Sequence, residues 1–463
     1  MGISTQLTLV AIMLILAFDI VQAAPGDLDP AFGNGSGIVR DAMADAGGQG
    51  RAVVIDANGR IVVAGTTYPL SPISGDFGLL RLNADGSLDA SFGSGGRAIH
   101  NAVTFPNGST SSEEGYGLVL QSDGKLVMAG ASFISGPGND FAALRVDSEG
   151  NIDTGFGNSG NGWMTTARPD TDVALAMVMD AAGGFLLAGY VAGSGLDAAG
   201  LRLDLLGAPD LGFGSAGFLV GSSDTTSFET VVVQSDGWSV FGGSAEAGGG
   251  ESLNQPNGGS SVGIVQRFDV NGDVDLGFAS DGRAELTGLL DKVGDLKVLA
   301  DGRILVGGFR SIDAALVRLN ADGTLDASFG SGGSLAVDSA SLGLGQMFLQ
   351  ALTLDSQGRI LACGHGGGSV DGFEIFVMRS TADGQLDSAF GNAGLSLIDA
   401  AGDLRCEDIA VQPDGAILIA GSDRGTAATT DDQYLVARLQ GGPPVCDQIF
   451  AHDFDGPDAQ TCT

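Results

Sequence analysis

Residues 318–333 read Arg-Leu-Asn-Ala-Asp-Gly-Thr-Leu-Asp-Ala-Ser-Phe-Gly-Ser-Gly-Gly, and variations of this stretch recur along the chain. The fixed part is an Asp at 29, 89, 153, 210, 275, 326 and 387, followed three residues later by Phe32, Phe92, Phe156, Phe213, Phe278, Phe329 and Phe390. Successive copies are 60, 64, 57, 65, 51 and 61 residues apart. One supersecondary unit is therefore used seven times.

Outward from the motif, each unit has the same parts. In the first complete one, Arg51 to Ile55 alternates like a half-buried strand, Asn58-Gly59 marks a tight hairpin turn, and Arg60 to Gly65 returns. Phe77 to Leu82 is a third strand, and Arg97 to Ile99 begins a fourth after the motif. The turn glycine recurs at 59, 124, 183, 237, 302, 358 and 415, with a second Gly six residues later each time. The third strand carries Arg81, Arg145, Arg202, Arg267, Arg318, Arg379 and Arg438, and each of the first six lies eight residues before the next motif Asp. A spacing held that rigidly while the loops vary belongs to geometry.

The two ends complement each other. The first motif, at Asp29, has no third strand before it, and the last third strand, Tyr434 to Leu439, has no motif after it. Joining them completes a seventh unit and leaves no open sheet edge. The expectation is an all-β, seven-bladed β-propeller over residues 25–440, with the strand near Ile38-Val39 closing the last blade.

Gly is 78 of 463 residues and the formal charge is -35. Nucleic acid and anionic lipid, which need clustered Lys and Arg, are poor partners for such a chain. Neutral glycans, proteins with basic patches and divalent cations remain, and the charge by itself keeps a Gly-rich β protein dispersed. Residues 7–18 are an apolar run too short to span a bilayer, followed by Val21-Gln22-Ala23-Ala24, so residues 1–24 read as a secretory signal peptide. No Lys or Arg precedes the run and Asp19 follows it. No later segment is apolar enough to span, and a secreted, cell-surface or periplasmic monomer is expected. Residues 441–463 read as a separate tail, in which Cys446 and Cys462 can close a disulfide loop. Cys363 and Cys406, in neighbouring units, can pair or stay buried. Four cysteines allow three connectivities.

The repeat resembles the bacterial delta-60 repeat, most closely at Asp123-Gly124-Lys125-Leu126-Val127-Met128-Ala129-Gly130 and over Arg318 to Gly330. The likeness covers roughly residues 27–440, and it implies a secreted or cell-surface propeller without an assigned reaction. Ala182 before Gly183, Leu205-Leu206-Gly207, and Ala279 in place of Gly depart from the pattern and imply looser turns.

Residues present in every copy specify the blade, since one ligand has no use for seven identical stations. Each Phe is expected to plug the space between blades, burying about 1.5 to 3 kcal/mol of apolar side chain, and each Arg to pair with the motif Asp. Asp269, Asn271, Asp273 and Asp275 place oxygens at alternate positions as calcium loops do, although Ser280 stands where a bidentate carboxylate is needed. The same residues suit a hairpin turn. No catalytic residue and no organic cofactor is expected. His100, His365 and His452 stand far apart, and His365, in Gly364-His365-Gly366-Gly367-Gly368, reads as a solvated loop residue at a rim. The variable loops between second and third strands, the longest running from Ala245 to Ser261, are the better place to look for binding. The expected function is an exported, non-catalytic binding or scaffold propeller for a protein or glycan. The rival readings are a hydrolase or lyase acting on extracellular polymer in the central funnel, and a Ca²⁺-stabilised adhesin.

Overall fold

The structure, a computed structural model, describes residues 23–442 apart from 44–46, 69–73, 104–110, 134–137, 158–159, 167, 169, 194, 222–223, 247–260, 368–371 and 426–431. Strand β1 (Ile38–Asp41) comes first. Blade one is β2 (Gly48–Ile55), β3 (Ile61–Thr67), β4 (Asp76–Leu82) and β5 (Arg97–His100). Blade two is β6 (Ser112–Leu120), β7 (Leu126–Phe133), β8 (Asp140–Val146) and β9 (Trp163–Thr165). Blade three is β10 (Thr171–Met179), β11 (Phe185–Ala192), β12 (Leu196–Leu203) and β13 (Phe218–Val220). Blade four is β14 (Thr225–Val233), β15 (Ser239–Glu246), β16 (Ser261–Phe268) and β17 (Arg283–Glu285). Blade five is β18 (Lys292–Val298), β19 (Ile304–Arg310), β20 (Asp313–Leu319) and β21 (Ser334–Val337). Blade six is β22 (Met347–Leu354), β23 (Ile360–Gly366), β24 (Glu374–Ser380) and β25 (Leu395–Ile398). Blade seven is β26 (Leu404–Val411), β27 (Ile417–Asp423) and β28 (Gln433–Leu439), with β1 as its outer strand.

Every sheet is four-stranded and antiparallel. The last is ordered β1-β28-β27-β26, with Ile38 opposite Ala437 and Asp41 opposite Tyr434. The first strands of successive blades lie against one another, and β2 meets β26, so the ring is shut. The second and third strands are buried on both faces, which is why they read as near-continuous apolar runs. The antiparallel order gives the ring two unlike ends. Its turn face carries the hairpins between first and second strands and the motif loops. Its mouth carries the starts of the first strands and the connections between second and third strands.

At the turn face the repeated residues form one device in six blades and an altered version of it in blade three. Arg318 Nε donates to Asp326 Oδ2 at 2.7 Å, Nη1 donates to Ala382 O of the next blade, and the guanidinium lies 4.8 Å from the Phe329 ring centroid. Phe329 is fully buried and packs against Gly384, in the turn that follows the next blade's third strand, where a Cβ would stand 2.8 Å from the ring. The circuit closes through the ends: Arg438 bonds Asp29 at 2.7 Å, donates to Ala84 O of blade one and stacks on Phe32.

The expected loosening of the third unit is corrected in part. Gly183 and Gly207 keep the left-handed φ, 87° and 82°, of their counterparts, because the glycine itself supplies that conformation. The clamp changes instead. Asp56 and Asp355 are held by Arg60 and Arg359, but blade three has Gly184 at that place. Asp180 therefore draws Arg202 to 2.9 Å and leaves it 3.6 Å from Asp210. Ala279 does not loosen its loop either: it adopts φ 51°, within a few degrees of Gly93, Gly214, Gly330 and Gly391, and its N–H reaches the next blade at Asp322 O, 2.7 Å away, as theirs do.

A disulfide joins Cys363 of β23 to Cys406 of β26, across the junction between blades six and seven. Among the described residues no helix is long and apolar enough to cross a membrane. Residues 1–22 of the expected signal peptide, and Cys446, Cys462 and His452 of the tail, lie outside the described residues.

Candidate functional site

The second glycine of each repeat decides what lines the axis. Gly65, Gly130, Gly189, Gly243, Gly308, Gly364 and Gly421 each sit opposite a register shift in the neighbouring first strand. A Cβ on any of them would stand 1.8 to 2.0 Å from a backbone carbonyl oxygen of that strand, as with Gly130 and Glu114 O. Only glycine admits the approach, and the approach creates a β-bulge. One extra residue per blade is thereby turned out of the ladder on the innermost strand. The seven are Arg51, Tyr116, Leu175, Glu229, Gly294, Gln350 and Glu407.

These seven share a structural station and almost no chemistry. Three of them, Glu407, Arg51 and Tyr116, meet in a row. Glu407 Oε1 is 3.2 Å from Arg51 Nη1, and the Arg51 guanidinium lies 5.3 Å from the Tyr116 ring centroid. Tyr116 donates to Glu114 Oε2 at 2.8 Å, and Glu229 pairs with Lys292 at 2.9 Å. Burial, with Glu114 next to it, raises the Tyr116 hydroxyl well above the usual phenol range. Arg51 is held above its ordinary value in spite of burial, by Glu407 first and then Tyr116.

One position beyond the bulge, polar residues tie blades together. Asp408 Oδ2 accepts the Val53 N–H at 2.8 Å, and Asp295 accepts the Leu352 N–H at 3.0 Å and the Thr230 hydroxyl at 2.9 Å. Burial pushes the Asp408 carboxyl up to about 6. Near the mouth, burial likewise raises Glu113 to about 7 and Asp172 to about 6. At the turn face the direction reverses. Asp326 is held far below the usual carboxylate range by the Ser328 hydroxyl and by Arg318 and Arg303, and Asp89 is lowered by the Ser91 hydroxyl and Arg81.

His365 corrects the sequence reading. It belongs to β23, is only 4% exposed, and lies against Phe348 and Phe373 with Nδ1 3.4 Å from Cys406 O. Burial lowers its pKa to about 4, so it is neutral near pH 7. Alternation along β23, a strand whose neighbours cover both faces, explains why a Gly-flanked His is inside. His100 is bonded to Gly150 O at 3.0 Å on the outer strand β5, far along the blade from the axis.

The oxygen-rich stretch of blade four is built as a turn. Asp269 Oδ1 accepts the N–H groups of Asn271 and Asp273, and Asp275 pairs with Arg267 at 2.6 Å. Among the described residues no group of three or more His, Cys, Asp or Glu is arranged to hold a metal ion. Residues 247–260 of the long blade-four insertion lie outside the described residues. The bulged residues were missed in the sequence reading. Their signal was present: a Gly inside a strand pattern, recurring six residues after each turn, marks a close backbone approach.

Residues 57–92, 121–156 and 299–329 match a family model described as a domain of unknown function (DUF5122) beta-propeller. Each match runs from a first hairpin turn to a motif Phe. No curated protein matches the chain. Among solved structures it is similar to a protein of unknown function from Dyadobacter fermentans, with 11% identity, TM-score 0.42, and 88% of this chain and 100% of that one covered. It is similar to an alpha-L-arabinanase of Penicillium chrysogenum complexed with arabinobiose, with 11% identity, TM-score 0.42, and coverage of 87% and 96%. It is also similar to Drosophila Plexin A in complex with Semaphorin 1b, with 10% identity, TM-score 0.38, and 84% of each chain covered. By its own strand order, register and ring closure, the chain is a seven-bladed β-propeller repeat protein.

Proposed function

We propose that this protein is an exported, non-catalytic binding propeller whose ligand enters the axial mouth. One observation carries the reading: seven equivalent bulges present Arg, Tyr, Leu, Glu, Gly, Gln and Glu, while the clamp residues at the other end scarcely vary. Unlike side chains at like stations make an asymmetric lining, which is what recognition of one ligand requires. The Cys363–Cys406 bond supports export, since such bonds persist in oxidising compartments. The two channel carboxylates that accept backbone N–H groups, Asp295 and Asp408, act as ties between blades and favour binding over hydrolysis.

The test is calorimetric screening of the full chain against neutral and acidic oligosaccharides, with product analysis of each mixture. Binding without turnover is expected, abolished by Gln350→Trp in the bulge ring and untouched by Leu211→Ser on the exposed turn face. Consumption of an oligosaccharide would establish the hydrolase or lyase instead. Binding indifferent to Gln350→Trp would remove the mouth as the site. A melting temperature lowered by chelator would favour the Ca²⁺-stabilised adhesin.

A further inference from the structure

In a chain with 56 acidic and 21 basic residues, cations should find carboxylates easily. Among the described residues every Lys and Arg except Arg310 and Arg424 has a carboxylate oxygen within 4.0 Å. Arg310 is exposed. Arg424 is half-buried at the mouth, directly after β27, and it is crowded by two other guanidiniums. Arg51 Nη2 and Arg424 Nη2 both donate to Gln49 Oε1, at 2.7 and 3.4 Å. Burial lowers the Arg424 pKa, and Arg405 and Arg51 lower it further. Arg405 lies over the Phe373 ring at 4.7 Å. The buried Nε of Arg51, of Arg405 and of Arg424 has no hydrogen-bond partner among the described residues.

The three guanidiniums repel one another, Glu407 and Asp432 offset part of that repulsion at Arg424, and a bound anion would offset the remainder. The surroundings limit which anion. Glu407 is paired with Arg51, Asp403 with Arg405, and Asp432 accepts from Gln49 at 2.5 Å. A densely charged anion would be repelled by these carboxylates and by the net charge of -35. A single carboxylate suits the planar forks of the guanidiniums, and the carboxylates, the Gln49 amide and the nearby Tyr68 hydroxyl suit a body rich in hydroxyls. We propose that Arg51, Arg405 and Arg424 recognise the carboxylate of a sugar acid, with the neighbouring carboxylates and amide holding its hydroxyls. This rests on the mouth being the binding site.

The test is calorimetric titration of the full chain with galacturonate, against galactose, inorganic phosphate and N-acetylglutamate. Galacturonate is expected to bind, and Arg424→Met to weaken it about 10- to 100-fold, the worth of a charge-assisted hydrogen bond. Arg405→Met should weaken it similarly and Arg424→Lys less, with thermal melting confirming that each variant is folded. Equal binding of galactose, tighter binding of phosphate or of N-acetylglutamate, or wild-type affinity in Arg424→Met would overturn the assignment. If a neutral oligosaccharide binds in a Gln350→Trp-sensitive way and galacturonate does not, this inference fails and the mouth remains the site. If no ligand depends on Gln350, both fail.

Discussion

The two ends of the ring use the same amino acids for opposite purposes. At the turn face, Arg and Asp are repeated, paired eight residues apart, and buried under a stacked Phe ring; Arg318 and Arg379 are almost wholly inside. At the mouth, the Arg–carboxylate pairs occur once each, Arg51 and Glu407 coming from different blades and Arg405 and Asp403 from one, and they leave donors unused. Satisfied, seven-fold chemistry builds the scaffold, whereas unsatisfied, one-fold chemistry is free to act on something else. Four carboxylates record the difference: at the turn face, hydroxyl and guanidinium donors lower Asp326 and Asp89, and near the mouth, burial raises Glu113 and Asp172.

The strongest way to break the turn face is Arg318→Ala, which takes from Asp326 its nearest cation, leaving it Arg303 and Ser328, and removes the group stacked on Phe329; it should cost about 3 kcal/mol in denaturant unfolding. Arg202→Ala, from the one clamp drawn aside by Asp180 and already a quarter exposed, should cost about 1 kcal/mol or less. Equal losses would mean that burial of the clamp is not what matters.

Near the mouth the fastener is the Cys363–Cys406 bond. Replacing both cysteines by Ala, or unfolding under reductant, should cost about 2 to 4 kcal/mol. Gly130→Ala tests the bulge: its Cβ cannot coexist with Glu114 O, so a loss of about 1 to 3 kcal/mol is expected, together with loss of any binding that depends on Tyr116. Retained stability would show that the bulge is not enforced by glycine.

Titration separates the two ends in a single experiment. Glu113 keeps its proton to about pH 7, against 4.5 for an ordinary Glu, and Asp172 to about 6, against 3.8, so the native state holds protons that the unfolded chain has released. Stability should therefore fall as pH rises through that window. Asp326 and Asp89 at the turn face act oppositely, since their contribution is complete above 3.8 and is lost below it. Thermal melting should peak at about pH 4 to 5, and Glu113→Gln should flatten the upper limb. A maximum near neutrality would show that the mouth carboxylates ionise freely. The one change expected to stabilise is Ala279→Gly, which relieves a left-handed Ala and should gain about 1 kcal/mol.

Much of this was legible in the chain. The Asp-x-x-Phe repeat, its Arg eight residues earlier and the complementary ends specify seven sheets and their closure, because these are local spacings copied in every unit. The position of His365 was not legible, because a Gly-rich run looks like a loop until neighbouring strands cover it. The second glycine was visible, but its meaning lay in the strand opposite.

The sequence by itself determined the scaffold, since strand alternation, turn glycines and the motif act within about 60 residues and need no distant partner. Only the tertiary structure decided the mouth. Gln49 and Arg424 are 375 residues apart and share a hydrogen bond because ring closure sets the first strand of blade one beside that of blade seven. No local pattern encodes a contact that exists only when the two ends of the chain meet.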